Sequence, residues 1–170
     1  MEQAKRPVTV LAGRYGHPLH PAMVAVPIGA WIASLVFDIA SHLVRDPEFL
    51  TRGSRWLIAI GVLGAVAAAL IGVLDLLAIP TGTRAFRIGL IHMSINLIVT
   101  VAYAINFLIR GSGTGAVGWG PLVLSAVALA GLGVSGYLGG ELAYRYGVRV
   151  ADEATQSQGY ESGSVEKEKV

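Results

Sequence analysis

Six polar side chains, His17, His20, Asp75, His92, Asn96 and Glu141, lie inside or at the edge of long apolar stretches of this 170-residue chain. Ionisable groups at membrane depth are costly, and they commonly mark relays, pathways or ligand sites. Two neutral imidazoles on different helices can ligate iron axially, and His20 with His92 is the pair that would do so for a b-type haem. Arg14, Arg84, Arg87 and Arg145 are then candidates for its propionates, because guanidinium pairs well with carboxylate. Gly72 and Gly89 are candidates for making room for the ring. His17, His20, Asp75 and His92 also form a nitrogen and oxygen donor set for a divalent metal, with Glu141 as an outer ligand. The same acids and imidazoles could exchange protons in a transport or relay role. The plainest alternative is a polar cluster, Asn96 and Glu141 included, that sets helix register.

Such groups need long apolar elements to carry them. Apolar runs span Pro21–Leu43, Leu57–Ile79, Ile88–Ile109 and Pro121–Leu142, each near the roughly 20 residues that a membrane helix needs. The chain is 54% hydrophobic and 14% charged, against about 25% charged in soluble domains. The first run exceeds the roughly 7–15-residue apolar core of a signal peptide and is expected to be retained. Cysteine is absent, which excludes disulfides, thiolate metal sites and cysteine-bound clusters. The net charge of +2 gives no reason to expect nucleic acid as a partner; the bilayer is the expected one. A membrane partner subunit or redox protein is compatible with this composition, and the oligomeric state is left open.

The expected fold is all-α: a four-helix antiparallel transmembrane bundle with a disordered polar C-terminal tail. Residues 1–13 read as a polar arm, 14–150 as the membrane domain and 151–170 as the tail, whose composition is too polar to offset ordering entropy. The end bearing both termini holds Lys5, Arg6, Arg14, Arg84, Arg87, Arg145, Arg149, Lys167 and Lys169, against Arg45, Arg52, Arg55 and Arg110 at the other. That asymmetry predicts a multi-pass protein of the inner (plasma) membrane with cytoplasmic termini. Val44–Trp56 reads as an outer loop, Pro80-Thr81-Gly82-Thr83 as a tight turn, and Gly111-Ser112-Gly113-Thr114-Gly115 as a second turn, with Pro121 suited to a first helical turn.

The short Pro80–Thr83 turn makes the second and third helices antiparallel neighbours. Asp75 and His92 each lie five residues inside their helix ends, about 7 Å deep at 1.5 Å per residue. They are expected at one depth facing the bundle interior, with Asn96 on the face of His92. In His17-Pro18-Leu19-His20-Pro21 each histidine precedes a proline, which disfavours α geometry and predicts a stiff entry. Pro27 should kink the first span. Small residues at Gly64, Ala68 and Gly72, and at Gly131, Ser135 and Gly139, with a second row at Gly136 and Gly140, form stripes that let helix backbones approach. At the opposite end, Asp38 and His42 are four residues apart and read as a local pair without a cross-helix partner.

At these positions the chain resembles the bacterial membrane-protein family known as domain of unknown function 2231. Gly16-His17-Pro18-Leu19-His20-Pro21 followed by Val26-Pro27-Ile28-Gly29 is similar to its opening signature. Gly72–Pro80 is similar to its second-helix ending, His92 with Asn96 to its third-helix polar pair, and Leu138–Val148 to its closing motif. Tyr146 departs from a closing position that is often histidine. The resemblance implies an integral membrane protein and supplies no activity. Some relatives are joined to iron–sulfur modules, which makes a redox role one to consider, although this chain carries no such module.

A structural or accessory membrane subunit is the reading the sequence favours, ahead of a haem or redox module, a metal-binding protein and a transporter. An enzyme is less expected: Ser34, Ser41, Ser94, Ser125 and Ser135 lack a nucleophile-elbow context, and no phosphate-binding glycine loop is present.

Overall fold

The computed structural model describes residues 1–111 and 114–160. It has four helices long and apolar enough to cross a membrane, Leu19–Ser41, Glu48–Leu77, Arg84–Ile109 and Trp119–Arg145. A short helix, α1 (Glu2–Lys5), and a 3₁₀ turn at Val10–Ala12 precede them. The first span consists of α2 (Leu19–Met23) and α3 (Ala25–Ser41). The others are α4 (Glu48–Leu77), α5 (Arg84–Ile109) and α6 (Trp119–Gly140), the last extended by a π-helical turn over Glu141–Arg145. The helix α7 (Glu153–Gln158) occupies the start of the expected tail; residues 161–170 lie outside the described residues. Helix α3 packs on α4, α4 on α5, α5 on α6 and α6 back on α3, which closes an antiparallel ring. Both termini therefore lie at one end, called here the terminal end; the other is the far end.

Local chemistry accounts for most of these boundaries. The break at Val24 falls one turn before Pro27, which cannot donate to the carbonyl of Met23, so the helical run is interrupted there. Thr83 caps α5 by accepting from the Phe86 N–H at 3.1 Å. Gly82, at φ +78, makes the preceding turn. Gly147, at φ +66, closes the last span as an αL cap: Gly147 N–H donates to Ala143 O, and Val148 N–H reaches back to Leu142 O, both at 3.0 Å.

The outer loop is shorter than expected. Helix α4 starts at Glu48, so most of Val44–Trp56 is helical. Pro47 takes a helical conformation at the N-cap, and Glu48 lies in the first turn, where it meets the helix dipole and Arg52 one turn on at 3.1 Å. The polar arm is also docked. Ala4 is buried with Ile79, Ile88, Leu142 and Val148 in a cluster at the terminal end. A second cluster, Trp31, Ile58, Val99, Tyr103 and Ala128, fills the bundle, with Trp31 and Tyr103 stacked at 4.1 Å and 8°. Leu63, Leu70, Leu97, Ile98 and Leu108 face outward, as they should on helices solvated by lipid.

Candidate functional site

The two ends of the bundle hold polar groups of different kinds. At the far end the carboxylate of Asp38 on α3 meets the guanidinium of Arg110, which caps α5. Arg110 Nη1 donates to Asp38 Oδ1 at 2.7 Å and Nη2 to Oδ2 at 2.6 Å, a bidentate pair. Arg110 Nε donates to Asn106 Oδ1 at 2.7 Å, Nη1 also to Ser54 Oγ at 2.8 Å, and Nη2 to Ser125 Oγ at 3.2 Å. All five guanidinium donors are thus used. The Ser54 hydroxyl in turn donates to the Asp38 carboxylate. Asn106 Nδ2 donates to Pro121 O at 2.8 Å and Ser125 Oγ at 2.9 Å. The charged side chains are 0% and 4% exposed, so every spanning segment meets in a dry, satisfied network.

This corrects the local reading of Asp38 with His42. Asp38 turns inward to Arg110, 72 residues away, while exposed His42 stacks on Trp119 at 4.8 Å. Sequence reasoning counted Arg110 as a loop cation. The available signal was its spacing from Asn106: four residues apart, the two share one helix face that must point away from lipid.

At the terminal end the imidazoles come together. His20 lies in the first turn of α2 and His92 about two turns inside α5, deeper than the five-residue offset expected. Their ring centroids are 6.3 Å apart with planes at 87°. His20 Nδ1 donates to Ala68 O of α4 at 2.8 Å, and His92 Nδ1 to Ser135 O of α6 at 2.8 Å. A ring that donates through Nδ1 keeps Nε2 as an acceptor when neutral. The Nε2 of His92 lies 3.1 Å from Asn96 Nδ2, so that amide is its donor. Asn96 therefore shares the inward face of His92.

The small-residue stripes explain how the rings fit. A side chain at Gly72 would lie 2.9 Å from His20 Cε1 and Nδ1, and one at Gly139 would lie 3.1 Å from His92 Cε1. Gly64 receives Val26 and Pro27, and Gly131 receives Val99. The second row at Gly136 meets nothing within 4 Å. The space beside Gly89 goes to Leu76; Gly72 makes room for an imidazole. The hairpin at the entry places its histidines differently. Gly13–Arg14 pairs antiparallel with His17–Pro18, which holds His17 extended with an exposed ring, Nδ1 3.4 Å from Tyr15 O. Pro18 then caps α2, and His20 enters the helix because a following proline is tolerated in the first turn. The structure separates His17 from the imidazole pair.

Asp75 faces inward as expected, but its charge partner is Arg149. Arg149 Nε lies 2.7 Å from Asp75 Oδ1, with side chains 3% and 12% exposed. The N–H direction misses hydrogen-bond alignment, and Arg149 Nη1 has no partner among the described residues. Arg149 also sits at φ +62, a left-handed conformation that costs a non-glycine residue of order 1–3 kcal/mol. Sequence reasoning counted Arg149 among topology cations and had no signal for its burial. Glu141 is engaged locally: Arg145 Nη1 donates to Oε1 at 3.1 Å and Tyr146 OH at 3.3 Å. Arg14, Arg84, Arg87 and Arg145 are exposed around this end. Among the described residues no group of three or more His, Asp or Glu side chains is gathered tightly enough to hold a metal.

No curated protein and no solved structure matches the chain. The model of a predicted membrane protein family, DUF2231, matches residues 16–152. That match runs from the glycine before His17 to Asp152, three residues past the buried Arg149, and the chain belongs to that family of membrane proteins.

Proposed function

We propose that this chain is a membrane-embedded redox module in which His20 and His92 ligate a b-type haem. The observation that carries the reading is the imidazole pair: two rings from different helices, 6.3 Å between centroids, each with Nδ1 spent on a main-chain carbonyl. At a centroid separation of 6.3 Å both rings are near enough to reach one group bound between them. Carbonyl partners on Nδ1 fix ring orientation and raise the basicity of the nitrogen left to ligate.

The donor set suits a macrocycle better than a bare ion. A porphyrin supplies four nitrogens itself, so two protein ligands suffice. A bare zinc ion needs about four donors. Asp75 is held by Arg149, Glu141 by Arg145 and Tyr146, and His17 stands apart. Bound haem would supply a one-electron couple for exchange with a redox partner protein. The residues of the chain would orient the ligands and exclude water, and Arg14, Arg84, Arg87 and Arg145 would meet the propionates at the exposed rim. Asn96 would release His92 Nε2 as ligation replaced its hydrogen bond.

That same Asn96 contact supports the second reading, a structural or accessory subunit, since it satisfies His92 without a ligand. Oxidised and reduced absorption spectra of protein purified from its native membrane separate the two. A haem band in the wild type, absent in His92→Ala and His20→Ala and kept in His42→Ala, is expected. A colourless wild-type protein leaves the structural reading in place.

We place the termini on the cytoplasmic side of the inner membrane. Setting aside buried Arg149 and Arg110, the terminal end carries Lys5, Arg6, Arg14, Arg84, Arg87 and Arg145, against Arg45, Arg52 and Arg55. The chain has no native cysteine, so Arg84→Cys gives a single thiol. Its labelling by an impermeant reagent in intact cells would reverse the orientation.

A further inference from the structure

We propose that Arg149 is the positioning residue for His20, tying the N-terminal arm to the bundle so that the His20 ring is held where a ligand is needed; this rests on the reading of His20 as a ligand. Arg149 Nη2 donates to Ala12 O at 2.8 Å and to Gly13 O at 3.3 Å. Its own N–H donates to Ala4 O at 2.9 Å. Gly13 is paired with Pro18 across the hairpin, and Pro18 caps the helix whose second residue is His20. One guanidinium thus fixes the chain just before the imidazole.

The grip continues on the other side of the ring. Arg149 contacts Asp75, which lies one turn beyond Gly72 on α4, and Gly72 is where the His20 ring packs. Arg149 therefore braces both the segment that carries His20 and the helix face that receives it. Its left-handed backbone follows from this duty. The N–H must reach Ala4 while the side chain reaches Ala12, Gly13 and Asp75, and φ +62 is the conformation in which it does both. Among the described residues no other non-glycine residue has positive φ. Strain held by surrounding contacts is a signature of a residue with a positioning role.

The full chain in lipid nanodiscs tests this without added cofactor. It contains 4 histidines, so selective ¹⁵N-histidine labelling resolves each ring. Hydrogen exchange across residues 8–19 reports the arm. Arg149→Gly accepts the left-handed backbone freely but lacks the guanidinium, and Arg149→Gln keeps a neutral donor on a strained backbone. Both should speed arm exchange by at least tenfold and move the His20 Nδ1 signal away from its hydrogen-bonded value. His42 and His92 should keep their signals, and Arg45→Gln, exposed at the far end, should change neither readout.

Unchanged arm exchange in Arg149→Gly, or a moved His20 signal with an intact arm, would overturn the proposal. If the arginine variants fail to fold, Asp75→Asn removes the charge and keeps an acceptor. It should loosen the arm in the same direction, and no loosening would count against the proposal. Absorption spectra of the same wild-type sample judge the haem reading separately, since the ring and exchange signals need no cofactor.

Discussion

Replacing Asp38 with asparagine keeps the shape of the side chain and removes its charge. Arg110 is then left as a cation 4% exposed, with neutral partners on all sides. Two magnitudes compete. Neutral hydrogen bonds between membrane helices average about 0.6 kcal/mol and reach about 1.7 kcal/mol. Removing one partner of a buried ion pair costs about 3–5 kcal/mol, because the remaining charge stays uncompensated. Asp38→Asn retains an acceptor for one Arg110 bond, so lost hydrogen bonding alone predicts at most about 2 kcal/mol. The uncompensated charge decides, and about 3–5 kcal/mol is expected.

Reversible unfolding in mixed micelles, titrated with a denaturing detergent, measures the loss. The double variant Asp38→Asn with Arg110→Gln removes both charges and should recover most of it, since a buried pair replaced by neutral groups is often close to thermoneutral. A single-variant cost below about 1 kcal/mol, or a double variant additive within about 0.5 kcal/mol, would refute the reasoning. Additivity would mean that Asp38 and Arg110 do not see each other, despite bidentate contacts of 2.7 and 2.6 Å.

Two further outcomes follow from particular contacts. Gly72→Val should push the His20 ring off Ala68 O and destabilise by about 1–3 kcal/mol through overpacking, whereas Gly136→Val, which meets no neighbour within 4 Å, should be tolerated in the same unfolding assay. Asp152 caps α7 from solvent; the Thr155 N–H donating to it at 2.7 Å holds its carboxyl below the usual carboxylate value. A depressed folded-state value means that the cap is complete above the ordinary carboxylate range and is lost as pH falls through the lowered one. The Thr155 amide shift followed on acidification should show it, and a midpoint above the ordinary value would reverse the sign.

The fold was legible because the bilayer imposes a coarse and strict grammar. Four apolar runs of spanning length, broken by Pro80-Thr81-Gly82-Thr83 and by the glycine-rich sequence after Ile109, leave few arrangements once every backbone group must be satisfied. The imidazole pair was legible in part. Depth placed Asp75 and His92 near one level, and the four-residue spacing put Asn96 with His92. Depth does not fix azimuth, however, and Asp75 turns to Arg149 while His92 turns to Ser135. Both missed arginines share a cause. Arg110 and Arg149 stand where topology cations belong, at helix ends, and composition cannot tell a solvated cation from a buried one. Burial follows from what the neighbouring segments present: Asp38 and Ser125 in one case, the arm carbonyls in the other.

The contrast between the two ends yields a prediction that separates packing from chemistry. At the far end Arg110 uses all five donors, Asn106 both amide hydrogens and its oxygen, and Asp38 both oxygens. A network without spare valence can specify helix register but has nothing to offer a ligand. At the terminal end, among the described residues, Arg149 Nη1 lacks a partner and the two half-buried rings are held through Nδ1, with one amide on the Nε2 of His92. Conservative changes at the two ends should therefore fail in different ways. Asp38→Asn should lower stability by several kcal/mol and leave any haem band of the surviving folded protein unaltered. His92→Gln keeps hydrogen-bonding capacity for Ser135 and Asn96, so it should cost about 1 kcal/mol or less and abolish the band. The comparison is made at matched expression, with stability and spectrum measured on the same preparations. Loss of the band in Asp38→Asn while His92→Gln retains it would reverse the assignment of the two ends. Equal destabilisation by both variants, with no band in the wild type, would make the imidazole pair a second register lock.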